Sequence, residues 1–192
     1  MSEVTLVGID LAKRVFQLHG ARSDGSVAFR KKLSRGQLLA FVAQQPTCLI
    51  AMEACATAHG WAREFEKLGH DVRLIPPVYV KPFVKRQKND VADAEAIVEA
   101  AMRPTMRFVA VKTEDQQARA MLFRTRQMFV GQRTQMINAL RSHLAEHGLV
   151  TARGPAHLKT LAHAIADDDT TLLPEVRELG RMYLERAMVE FG

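Results

Sequence analysis

Val4-Thr5-Leu6-Val7-Gly8-Ile9-Asp10 is a short apolar run that ends on a carboxylate. Apolar residues at nearly every position predict a central strand buried on both faces rather than a half-exposed one. After Leu11-Ala12-Lys13, the segment Val15-Phe16-Gln17-Leu18-His19 reads as a returning strand. The turn Ser23-Asp24-Gly25-Ser26 then leads into a third, Val27 to Leu33. Ser34 is placed to cap a helix with Leu38, Leu39, Phe41 and Val42 on one face, and Pro46 stops it. Thr47 to Met52 is a fourth strand, nearly all apolar, ending at Glu53. Trp61, Phe65 and Leu68 mark the next helix, closed by Gly69. Val72 to Ile75 is the fifth strand, ended by Pro76-Pro77. Three strands at hairpin spacing, then helix, strand, helix, strand and helix, predict an α/β fold: a mixed sheet with helices on its faces.

Beyond this sheet the character changes. Lys81, Lys85, Arg86 and Lys88 form a basic loop that runs into Asn89-Asp90, and Val91 to Met102 reads as a helix before Pro104. From Glu114 to about His147 only Gly131 interrupts a stretch otherwise free of Gly and Pro. Ala118, Met121, Leu122, Met128, Phe129, Met136, Ile137, Leu140 and Leu144 keep a seam there near the heptad period. That predicts one very long helix, or two in line, with arginines on its other faces. Gly148 ends it and Gly154-Pro155 marks a linker. The remainder, His157 to Ala166 and Pro174 to Phe191, reads as helical and stops without a terminal signal, as in a truncated chain.

The bulk numbers narrow the class. A chain of 192 residues, 47% hydrophobic and 25% charged, can bury a core and is not a disordered polymer. Its formal net charge of +6 suits a polyanionic partner without requiring one. Cys48 and Cys55 make neither a disulfide framework nor a metal-binding pair pattern; Cys55 and His59 are four apart, but no second ligand pair accompanies them. The opening residues MSEVTLVGIDLAK do not read as a signal peptide, and no apolar run approaches the ~20 residues of a membrane span. A cytoplasmic, reducing location is the expectation.

Four acids form the candidate site. Asp10 ends the first strand and Glu53 the fourth, so both can meet at the carboxyl edge of one sheet, where open α/β sheets place ligands. Asp90 and Asp93 are three apart at the start of a helix and share a face. Each is also explicable alone: Asp10 and Asp90 as caps, Glu53 and Asp93 as solvated first-turn acids. Converging together, they would repel one another and raise their own pKa values unless cations intervened. Hard oxygen ligands select Mg²⁺ or Mn²⁺. Two such ions, about 3.5–4 Å apart, can activate the attacking oxygen and stabilise the leaving one in phosphodiester displacement.

The segments Gly8-Ile9-Asp10-Leu11-Ala12-Lys13, Met52-Glu53-Ala54-Cys55 and Lys88-Asn89-Asp90-Val91-Ala92-Asp93-Ala94, in that order, resemble the N-terminal half of the DEDD transposase family of bacterial insertion sequence 110. Tyr79 to Gln87 and Arg133 to Arg141 extend the likeness, which covers roughly residues 4 to 150. The resemblance implies a ribonuclease-H-like fold of the Holliday-junction-resolvase type over 1–110, with Asp10, Glu53, Asp90 and Asp93 binding two metal ions. It implies a coiled-coil dimerisation segment over 111–148, and in 149–192 the start of a further region. It also implies a DNA substrate and a structured guide RNA, read by base pairing rather than by side chains. Lys13, the basic loop Lys81, Lys85, Arg86 and Lys88, and the helix arginines Arg133 and Arg141 would then contact nucleic-acid backbone. A nucleophilic serine belongs to the family's second, C-terminal domain, and none of Ser2, Ser23, Ser26, Ser34 or Ser142 is given that role.

Other readings stay open. A kinase-type or actin-type ATPase also opens on Gly-Ile-Asp, but it favours Gly, Ser or Thr after the Asp, where this chain has Leu11-Ala12-Lys13. A stand-alone resolvase-like nuclease, and a non-catalytic module that pairs with intact transposase, share the same segments.

Overall fold

In a computed structural model, the structure describes residues 3–84, 90–154, 157–167 and 171–189, the side chains at 90, 91, 188 and 189 excepted. Two compact units divide the chain, Met1–Gln116 and Gln117–Gly192.

The first unit is built on five strands: β1 (Val4–Asp10), β2 (Val15–Arg22), β3 (Val27–Ser34), β4 (Leu49–Glu53) and β5 (Asp71–Ile75). Their order is β3-β2-β1-β4-β5. β1, β2 and β3 pair antiparallel through short turns, whereas β4 lies parallel to β1 and β5 parallel to β4. Parallel neighbours need crossovers, which α1 (Arg35–Ala43) and α2 (Ala58–Lys67) supply. This mixed sheet, flanked by helices, is the α/β arrangement expected from the order of strands and helices, with β1 in the middle as its apolar run requires.

Period-two alternation sorts the strand residues onto two faces. Val7 and Ile9 of β1, Phe16 and Leu18 of β2, and Ile50 and Met52 of β4 pack with Leu38 and Val42 of α1 and with Ala58, Ala62 and Phe65 of α2. Leu6, Ala21, Ala51 and Ile75 face the other way, against Ala96, Ile97, Ala100 and Ala101 of α4 (Asp90–Ala101). Ser34 stands at the head of α1, where Gln37 Oε1 accepts from both its backbone N–H and its hydroxyl.

The proline pair after β5 behaves differently from the expectation of a plain loop. Pro77 opens a short helix, α3 (Pro77–Val80), and Lys81–Phe83 continues as a 3₁₀ turn. Proline is favoured at the first helical position, because its fixed φ suits the helix and its missing N–H would lack a partner there anyway. Lys81 therefore lies in a helical turn, while Lys85, Arg86 and Lys88 lie outside the described residues.

After α4 the chain returns along the sheet edge. Val109 bridges to Leu74, His59 Nδ1 accepts from the Lys112 N–H at 3.2 Å, and Arg63 Nη1 donates to the Lys112 carbonyl at 2.7 Å. Thr113 and Gln116 then cap each other reciprocally at the head of α5 (Glu114–Glu146), a single unbroken helix.

In the second unit Ile137, Leu140 and Leu144 of α5 form a core with Leu158, Leu161 and Ile165 of α6 (Leu158–Ala166) and Leu184 and Ala187 of α7 (Pro174–Val189). Among the described residues, no helix is long and apolar enough to cross a membrane.

Candidate functional site

The register of β1 against β4 sets the site. Ile9 pairs with Met52, so the next residues along these parallel strands, Asp10 and Glu53, end side by side on strands about 4.8 Å apart. Alternation places both on the face covered by α4: Asp10 follows Leu6 and Gly8, and Glu53 follows Leu49 and Ala51. Both are half-buried.

Gly8 lets the helix come close. A Cβ at this position would lie 2.6 Å from the Ala94 carbonyl oxygen and 2.6 Å from Val98 Cγ2, so only glycine fits. The contact presses the first turns of α4 onto β1 two residues before Asp10. Asp93, next to Ala94, is thereby brought towards the carboxyl edge, and its charge acts on Glu53. The Glu53 carboxyl is pushed above its ordinary pKa, first by burial and second by the negative charge of Asp93. Asp90 begins the same helix, and its side chain lies outside what is described.

Among the described residues no group of three or more His, Cys, Asp or Glu side chains stands close enough to hold a metal ion. The donor chemistry nevertheless fits a hard divalent cation: these are carboxylate oxygens only, and Glu53 carries an excess of nearby negative charge that a cation would relieve.

Two polar residues that sequence reasoning passed over share this face. Gln17 pairs across the ladder with Asp10, and His19 with Gly8. They are 9% and 3% exposed, so a primary amide and an imidazole are buried under α4 beside the acids. In sequence they are the alternate positions of a strand, which read as solvent-facing.

The basic candidates are dispersed. Lys13 is exposed in the turn after β1, next to the carboxyl edge, and Lys81 is exposed after α3. Arg133 and Arg141 are half-buried on α5, in the second unit. Cys55 is half-buried with Thr57 Oγ1 at 3.8 Å, and His59 Nδ1 is engaged by the Lys112 N–H.

Comparison with known proteins adds the following. A family model for DEDD transposases of the IS110 type, described as Transposase, matches residues 7–148. The chain is 49% identical over 162 residues to the transposase for insertion sequence element IS1328 of Yersinia enterocolitica, covering 84% of this chain and 48% of that protein. It is 40% identical over 187 residues to the transposase for insertion sequence element IS1111A of Coxiella burnetii, covering 96% and 51%. The chain thus spans about half the length of the curated relatives it matches. Among solved structures it is similar to RuvC of Thermus thermophilus, with a TM-score of 0.42, 16% identity, and coverage of 54% of this chain and 99% of that one.

Proposed function

The chain belongs to the IS110 family of DEDD transposases, and from that membership we propose that residues 1–110 form a metal-dependent site acting on DNA phosphodiester bonds. The observation that carries the proposal is the meeting of Asp10 and Glu53 at one edge of the sheet, under a helix that Gly8 admits and that presents Asp93. On this reading Asp10, Glu53, Asp90 and Asp93 hold two Mg²⁺ or Mn²⁺ ions. When bound, such ions supply Lewis-acid charge for the attacking and leaving oxygens of the displacement. The protein's part is to fix the four carboxylates before substrate arrives. Asp10 and Glu53 are fixed by the ladder, and Asp93 by the packing of α4 on Gly8. Half-burial keeps bulk water from screening their charge, which raises their demand for a cation.

The second part of the proposal concerns partners. A net charge of +6 and the cations Lys13, Lys81, Lys85, Arg86, Lys88, Arg133 and Arg141 would meet the backbones of DNA and of a structured guide RNA. The exposed apolar residues of α5 would pair two copies of the chain across 111–148. Residues 149–192 would begin a further region, with a serine-bearing domain taking part in strand exchange. Action on DNA would place the chain in the bacterial cytoplasm, with the nucleoid.

Isothermal titration with Mg²⁺ and Mn²⁺ tests the core of the proposal. Asp10→Asn and Asp93→Ala should each lose most of the affinity of the wild type, with circular dichroism unchanged. Equal binding by all three proteins sinks the site. A plasmid-excision assay supplied only with this chain should give no product, and complete excision would refute the need for a further domain.

A further inference from the structure

The last turns of α5 carry Asn138, Arg141, Ser142 and Ala145 at i, i+3, i+4 and i+7, so they share one face. The opposite face is occupied in the core by Ile137, Leu140 and Leu144. Gly148, at φ 86°, turns the chain, and the Leu149 N–H closes back on the Leu144 carbonyl at 2.9 Å. The returning segment is tied to the helix by Arg141, whose Nη2 donates to the Gly154 carbonyl at 2.6 Å. Between the helix face and this segment lies a groove of about 480 Å³, lined among others by Asn138, Arg141, Ser142, Thr151 and Arg153.

The lining is rich in donors and free of acids. Two guanidiniums bring two full positive charges, whereas the C-terminal end of α5 opposes an anion with only about half a charge. Arg141 is held in place from two sides, by Gly154 and by Asn138 Oδ1, which accepts from its Nη1 at 3.3 Å. Arg141 Nε and Thr151 Oγ1 are buried with no hydrogen-bond partner among the described residues. Buried donors left open are rare because they lose water without compensation. A tetrahedral oxyanion offers several acceptors at once and matches the planar fork of arginine.

We infer that this groove is a phosphate-binding site, and that the phosphate it takes belongs to a polynucleotide backbone. The second half of the inference rests on the nucleic-acid reading given above; the groove itself does not.

The test uses the 192-residue chain and two probes, a labelled single-stranded DNA and inorganic phosphate. Arg153→Ala and Thr151→Val are compared with wild type and with Lys159→Ala, which removes an exposed charge from α6 outside the groove. Arg153→Ala should weaken DNA binding several-fold and flatten the plot of log K against log salt by about 0.7. Thr151→Val should weaken binding without changing that slope, Lys159→Ala should do neither, and inorganic phosphate should compete. Thermal melts matching wild type would show that the variants fold. If wild type binds DNA and both groove variants bind DNA and inorganic phosphate as well as it does, the groove proposal is overturned and the nucleic-acid reading stands. If wild type does not bind DNA, that reading and the backbone assignment fall together. Variants that lose inorganic phosphate but keep DNA would overturn the backbone assignment.

Discussion

Gly8 of β1 and Ala94 of α4 approach so closely that a side-chain carbon on the glycine would stand 2.6 Å from the alanine carbonyl oxygen. The obstacle is backbone, which cannot swing aside as a flexible side chain can. Gly8→Ala must therefore push α4 off the sheet or strain β1, at a cost of about 1–3 kcal/mol typical of overpacking. Because the same helix carries Asp90 and Asp93, the substitution should also weaken Mg²⁺ binding. Urea denaturation and metal titration of Gly8→Ala check the two effects, and a variant of wild-type stability would show that the helix does not sit this tightly.

Glu53 supplies a pH prediction. Burial and the neighbouring charge of Asp93 raise its pKa in the folded protein, so the native state binds a proton more readily than the unfolded chain does. Its penalty is absent below the unfolded carboxylate pKa and grows as pH rises through the folded one, so metal-free stability should fall over that window. Glu53→Gln removes the penalty. Without metal it should melt higher than wild type at neutral pH, and the difference should vanish in acid. Adding Mg²⁺ should stabilise wild type and leave Glu53→Gln nearly unmoved. Thermal melts across pH, with and without the ion, measure all three.

His70 is 5% exposed and bridges two elements: its Nδ1 accepts the Cys48 N–H at 3.3 Å, and its Nε2 faces the Val42 carbonyl at 3.3 Å. With Nδ1 accepting, an N–H on Nε2 can donate to the Val42 carbonyl, so one ring serves both partners. Val42 also accepts from Gln45, but the Cys48 N–H would be left without a partner by His70→Leu. A loss of about 1–3 kcal/mol follows from one buried donor unmade. Chemical denaturation of the variant at neutral pH tests it.

The two thiols should differ sharply in reactivity. Burial pushes the Cys48 thiol up to about 11, so at pH 8 only about one molecule in a thousand carries the thiolate there. Cys55 is half-buried near the carboxyl edge of the sheet. A disulfide-exchange reagent at pH 8 should label Cys55 quickly and Cys48 only after unfolding. Labelling followed by peptide mass spectrometry would show this, and fast modification of Cys48 would contradict its burial.

The sheet was legible because its strands announce themselves as apolar runs broken by turn residues, and because Asp10 and Glu53 interrupt such runs at their ends. The cap of α1 was legible for a local reason, since Ser34 stands directly before the helix it heads; the reciprocal pair Thr113 and Gln116 at the head of α5 went unread although it needs only three-residue spacing. Gln17 and His19 were hidden, since alternation alone cannot tell a water-covered face from one covered by an alanine-rich helix far along the chain. The proline pair concealed α3, because the residue that ends a strand also starts a helix well. Heptad spacing on α5 could not say which turns are covered: Leu144 is 1% exposed and Leu122 70%.

That contrast yields the last prediction. Met121, Leu122, Phe123, Met128, Phe129 and Val130 stay largely exposed on α5, an apolar stretch that Ile137, Leu140 and Leu144 do not share because α6 and α7 cover them. A second copy of the same helix offers the matching apolar seam, with residues at the spacing that knobs-into-holes packing needs. Leu122→Glu with Phe129→Glu puts like charges on both sides of such a seam, while each site is exposed within one chain and costs little there. Sedimentation velocity should find wild type as a dimer and the double variant as a monomer with an unchanged melting curve. A wild-type chain that stays monomeric at tens of micromolar would remove the dimer, and a double variant that still dimerises would move the interface elsewhere.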